Sequence, residues 1–141
     1  MQAFIAPLAE LAEFEVVQKK RREKKGILQF VGCVNSQKTH MMYALSDGFK
    51  YKIIAVSSEM KAKQIYEEYR VLNSNVYLYP AKDLLFYQAD LRGKYLLKQR
   101  MEVFQAVLEQ KDVTVVLSFD GFMDALLPFD TMRDRIRTLR L

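Results

Sequence analysis

A chain of 141 residues, half of them apolar and 28% charged, with only five glycines and three prolines, fits one globular domain. Such a length buries roughly two-thirds of the surface its unfolded form exposes, and the composition excludes disordered, collagen-like and disulfide-stapled classes. The net charge of +5 has one source: the run Lys19-Lys20-Arg21-Arg22-Glu23-Lys24-Lys25 holds six basic residues and one acidic, which equals the whole excess and leaves the body neutral.

In chain order, Leu8, Leu11, Phe14 and Val17 recur every three residues after Pro7, which predicts one amphipathic helix from about residue 5 to the basic run. Gly26 ends it. Ile27 to Val31 is apolar enough to be buried on both faces and is expected to form a first parallel strand. A short helix through Met41, Met42, Ala44 and Leu45 closes at Asp47-Gly48. Lys52 to Val56 is the second expected strand, and Ser57 or Ser58 caps a helix with the buried stripe Ala62, Ile65, Tyr69 and Leu72. Asn73-Ser74-Asn75 turns into a third strand, Val76 to Tyr79, which Pro80 ends. A polar and aromatic loop through Asp83, Phe86, Tyr87 and Asp90 leads to a helix whose expected core stripe is Leu97, Met101, Phe104 and Leu108, with Val103 and Val107 beside it. Val113 to Leu117 is the fourth strand, Phe119 to Leu127 a short helix, and Thr131 to Leu141 reads as the first strand of something further. Four alternations of strand and helix predict an α/β fold, a parallel sheet with helices on both faces, with any ligand at the carboxyl ends of the strands.

The stretch Gly32-Cys33-Val34-Asn35-Ser36-Gln37-Lys38-Thr39 lies at one such end. A phosphate loop, G-x-x-x-x-G-K-[ST], uses its second glycine for close backbone approach, its lysine on phosphate and its hydroxyl on Mg²⁺. Here Gln37 stands where that glycine belongs, so Lys38 and Thr39 keep their types while a long side chain occupies the cradle. Gly32, Ser36, Gln37, Lys38 and Thr39 are therefore the candidate residues of a degenerate nucleotide site.

These features in this order resemble the N-terminal, UvrB-like region of bacterial transcription-repair coupling factors (the Mfd family), over nearly the whole chain. The most specific stretches are Tyr79-Pro80-Ala81-Lys82-Asp83-Leu84-Leu85-Phe86-Tyr87, Val113 to Ser118, and Phe122-Met123-Asp124-Ala125-Leu126-Leu127-Pro128. The resemblance implies a P-loop NTPase-like, helicase-domain-1-like sheet without catalysis of its own. ATP would be handled by a separate motor of the longer protein, and Gln37 agrees with the eroded loop of the family. It also implies a division into an N-terminal helix with a basic end (1–25), the UvrB-like domain (26–128) and the opening of the UvrA-binding domain (129–141). UvrA, RNA polymerase and DNA would be met through the neighbouring domains and the full-length protein. Pro80 to Gly93 is too short for the DNA-probing hairpin of UvrB.

Beside this, the alternative is a genuine P-loop nucleotide-binding domain of a DNA helicase-like enzyme, using ATP and Mg²⁺ and depending on Lys38. A third reading is a DNA- or partner-binding module that uses Lys19, Lys20, Arg21, Arg22, Lys24 and Lys25 with Arg133, Arg135, Arg137 and Arg140, against which stands a solvated helix end. Asp120 reads as a magnesium-holding carboxylate or a helix cap. Tyr77, Tyr79, Phe86 and Tyr87 read as base-stacking or core residues. Cys33 and His40, each the sole residue of its type, exclude a cysteine-built or histidine-built metal site, and no catalytic residue or resident cofactor is expected. No apolar stretch approaches the ~20 residues a membrane helix needs, and Glu10, Glu13 and Glu15 replace the basic start of a leader, so a cytoplasmic chain is expected.

Overall fold

The computed structural model describes residues 2–23, 26–82, 90–109, 111–126 and 128–135. Its centre is a three-stranded, fully parallel sheet of β1 (Tyr51–Val56), β2 (Val76–Tyr79) and β3 (Val113–Ser118), in the order β1-β3-β2. Three of the four expected strands are thus present. β3 lies between the other two, with Ile53 opposite Val115 on one side and Tyr77 opposite the same residue on the other. Its β-branched run suits a strand packed from both faces.

Helix α4 (Glu59–Leu72) covers one face. Ser58 caps it by accepting the Lys61 N–H at 3.3 Å, and Ala62 and Tyr69 are fully buried against Val76 and Val116, with Ile65 and Leu72 half-buried beside them. α3 (Asn35–Ser46) lies against α4, where Tyr43 and Tyr69 meet edge to face at 5.9 Å. Ser46 Oγ donates to the Tyr43 carbonyl, which leaves the Tyr69 hydroxyl to donate to Ser46 at 2.8 Å. The Tyr69 and Ser46 hydroxyls are thereby satisfied in series, whereas the buried Thr114 hydroxyl on the same face has no hydrogen-bond partner among the described residues. Burial holds the Tyr43 phenol above its ordinary range, with Asp47 adding to the effect. α3 ends at Asp47 as expected, and Gly48 at φ +82° makes the turn that an L side chain would strain.

Helix α5 (Asp90–Leu108) covers the other face over β2 and β3, through Val103 and Phe104 on Tyr79 and Leu117. The expected stripe is rotated. Leu97 and Met101 are 60% and 52% exposed, whereas Arg100, Val103 and Ala106 are buried. The pattern allowed no place for a buried arginine, and Arg100 takes one because it finds partners there.

Three further expectations need correction. Ile27 to Val31 is not a strand: Ile27 is 97% and Val31 84% exposed, and the segment runs without regular structure to α3. The N-terminal helix is two helices, α1 (Gln2–Ala9) and α2 (Ala12–Arg22), with Pro7 inside the first rather than at its start. The break brings Leu8 and Phe14 together on Met41 and Ala44 of α3, forming a small second core. Finally, Thr131 to Arg135 belongs to a helix, α7 (Phe129–Arg135), not to an opening strand. α6 (Phe119–Met123) is shorter than expected, with Ser118 as its cap. Residues 83–89, with Asp83, Phe86 and Tyr87, and residues 136–141, with Arg137 and Arg140, lie outside the described residues. Among the described residues, no helix is long and apolar enough to cross a membrane.

Candidate functional site

The Gly32–Thr39 stretch differs from a phosphate loop in its approach and in its helix. No strand leads into it. α3 begins at Asn35, with Val34 in extended conformation at its cap and Lys38 N–H already donating to the Val34 carbonyl at 3.0 Å. Ser36 and Gln37 are therefore first-turn residues. A glutamine propagates a helix about as well as any polar residue, whereas a glycine there would cost close to 1 kcal/mol, so the substitution favours helix over a wrapping loop. Gly32 lies at φ +82°, in the left-handed region that favours glycine.

Thr39 is buried, and its hydroxyl donates to Glu68 Oε2 at 2.6 Å. Gln64 Nε2 holds the other carboxylate oxygen, Oε1, at 2.9 Å. The hydroxyl expected to face a magnesium ion instead ties α3 to α4. Lys38 is exposed, and among the described residues no carboxylate pairs with it.

Lys38 does border a cavity of about 470 Å³ at the carboxyl end of β1, between α3 and α4. Its polar lining is Asn35, Lys38, Lys61, Gln64 and Glu68; Met41, Met42, Leu45, Ile54 and Ile65 form most of the apolar wall. Phe30 and Cys33 border it from the irregular segment, so Cys33 is half-buried at a cavity rather than at a strand end.

The carboxyl ends of β2 and β3 are arranged differently, because internal bonds fill them. Glu59 Oε1 accepts from the Ser118 hydroxyl and from the Ala81 N–H, and Ser118 Oγ accepts the Gly121 N–H at 3.1 Å. A Cβ on Gly121 would stand 3.3 Å from the Tyr79 carbonyl oxygen, a tight contact that a larger residue could make only if the backbone there gave by a few tenths of an ångström. Next to it, Arg100 stacks on the Tyr79 ring at 4.2 Å and donates to the Pro80 carbonyl at 3.0 Å and to Asp124 Oδ2 at 2.5 Å. Asp124 also accepts the Lys82 N–H at 3.1 Å. Burial pushes the Asp124 carboxyl up, but the Arg100 and Lys82 hydrogen bonds with their charges outweigh it, and the group lies below its ordinary 3.8. Burial also raises the Tyr79 phenol, against the opposing Arg100 charge, and that hydroxyl has no hydrogen-bond partner among the described residues.

The basic run is not uniformly available. Arg21 donates to the carbonyls of Leu45 at 3.0 Å and Asp47 at 2.6 Å and lies 5.8 Å from the Phe49 ring, so it satisfies the open end of α3. Lys19, Lys20 and Arg22 are exposed, and Lys24 and Lys25 lie outside the described residues. Arg133 pairs with Asp130 at 3.0 Å. Asp120 is exposed in the first turn of α6, and Tyr79 is a core residue, set edge to face on Phe104 at 5.9 Å. Among the described residues no cluster of histidine, cysteine and carboxylate side chains could hold a metal ion.

Sequence reasoning missed Arg100 and Glu59, and it placed Arg21 in a contact surface rather than at the end of α3. Only the placement of Arg100 within an otherwise core-facing helix register could have signalled a role. Comparisons with protein-family models, with curated proteins and with solved structures found no match to this chain.

Proposed function

We propose that the chain is a non-catalytic, UvrB-like scaffold domain of a transcription-repair coupling factor, whose sheet is a small P-loop NTPase-like, helicase-domain-1-like unit with its phosphate site eroded. It would position the neighbouring UvrA-binding domain. The longer protein would supply the ATP-driven movement on DNA and the contact with stalled RNA polymerase. The observation that carries the reading is the commitment of Thr39 to Glu68, which takes the metal-facing hydroxyl out of the loop and sets a carboxylate close to where phosphates would lie. The repulsion between that carboxylate and a polyphosphate adds to the missing glycine cradle.

The test is isothermal titration of Mg-ATP and Mg-ADP into the chain beside Lys38→Ala. No heat of binding at millimolar nucleotide agrees with the scaffold reading. Binding that disappears in Lys38→Ala would replace it with the nucleotide-binding, helicase-like alternative.

A further inference from the structure

The cavity between α3 and α4 has no role in the scaffold reading, yet its volume of about 470 Å³ falls within the range of small-molecule sites, roughly 300–1,000 Å³. Its walls divide by chemistry. Met41, Met42, Ile54 and Ile65 give an apolar interior, and the methionines adapt to the shape of an occupant. Lys38 from α3 and Lys61 from α4 border it, both exposed and neither paired with a carboxylate among the described residues. The one acidic lining residue, Glu68, already has both oxygens engaged, by Thr39 and Gln64. Two cations against one hydrogen-bonded carboxylate leave a local charge of about +1.

We propose that this cavity binds a small monoanionic amphiphile, with a carboxylate-type head between Lys38 and Lys61 and an apolar body against the methionines and isoleucines. A polyanion is disfavoured by Glu68, and an uncharged apolar molecule would gain nothing from the two ammonium groups at the rim. The site does not depend on the scaffold assignment, since nucleotide binding and amphiphile binding are read with different ligands.

Cys33, the only cysteine, borders the cavity and provides the readout. The rate of its alkylation by iodoacetamide, a neutral reagent, is measured with increasing octanoate, decanoate, 1-naphthoate or decanol. Decanoate is expected to slow alkylation saturably, with half-effect about tenfold lower than for octanoate, the increment that two buried methylenes give. Lys38→Met with Lys61→Met, both at exposed positions that leave the core intact, should weaken decanoate about tenfold or more and leave decanol unchanged. Protection by 1-naphthoate alone, lost in the same double variant, would assign a planar rather than an aliphatic body to the same anionic ligand. Ile65→Trp should abolish protection with the circular dichroism spectrum retained. The proposal is overturned if no anion protects Cys33 up to about 1 mM, the weakest affinity worth assigning to a specific pocket. It is equally overturned if protection is the same in the double lysine variant.

Discussion

Ile27-Leu28-Gln29-Phe30-Val31 and Val113-Thr114-Val115-Val116-Leu117 are two pentads of nearly equal apolar content, and they end in opposite environments. The second is the central strand, bonded to β1 and β2, with Val113 and Val116 at 1% and 0% exposure. The first is irregular and largely in solvent. The difference does not lie in hydrophobicity. A buried strand needs hydrogen-bonding neighbours for its own N–H and C=O groups, and β3 has one on each side while Ile27 to Val31 has none among the described residues. The same contrast extends to the faces. On β1, Tyr51 and Ile53 are 50% and 64% exposed although they share the face of α5, because that helix lies over β2 and β3, where Val115 and Tyr77, in register with Ile53, are packed under it.

The largest effect should come from a charge placed in the covered pentad. Val116→Asp puts a carboxylate among Tyr43, Ala62 and Tyr69 and should cost about 4 kcal/mol or more, enough to abolish a cooperative urea transition. Val31→Asp, the matched change in the exposed pentad, should move the midpoint by less than about 0.5 kcal/mol. Equal losses at the two positions would erase the distinction.

Next in size is the latch over β2 and β3. Arg100→Met keeps the volume but strands Asp124 and the Pro80 carbonyl, and should cost about 2–3 kcal/mol in denaturant unfolding. The Asp124 carboxyl is depressed in the folded state, so its contribution is complete above the ordinary value of 3.8 and is lost as pH falls through the depressed value. An acid titration of stability should therefore show a component below pH 3.8 that Asp124→Asn removes. Persistence of that component in the variant would deny the pairing. The smallest effect belongs to the α4 cap: Ser58→Ala should cost about 1 kcal/mol by thermal unfolding, and no change would mean the cap is made by solvent instead.

The elements whose determinants are local were legible in the sequence. Ser58 followed by the Ala62 and Tyr69 stripe, the Asp47-Gly48 stop, and β1, β2 and β3 themselves all follow from period, capping and turn chemistry within a few residues. What failed depends on distant partners. Ile27 to Val31 needed a pairing strand that no local pattern reports. The α5 stripe was shifted because Arg100 is stabilised by Pro80 and Asp124, which lie 20 and 24 residues away. The break between α1 and α2 is set by packing on Met41 and Ala44. At the candidate site, Lys38 was found beside a cavity, but the turn of Thr39 toward Glu68, 29 residues on, was not visible in a motif eight residues long.

No strand leads into the Gly32–Thr39 stretch, and amide hydrogen exchange tests that difference between the two pentads most directly. Amides of residues 27–31 should exchange within about tenfold of free-chain rates while those of 113–117 exchange only with global unfolding. Comparable slow exchange in both pentads would contradict it, because it would give the loop the buried strand that a phosphate site requires.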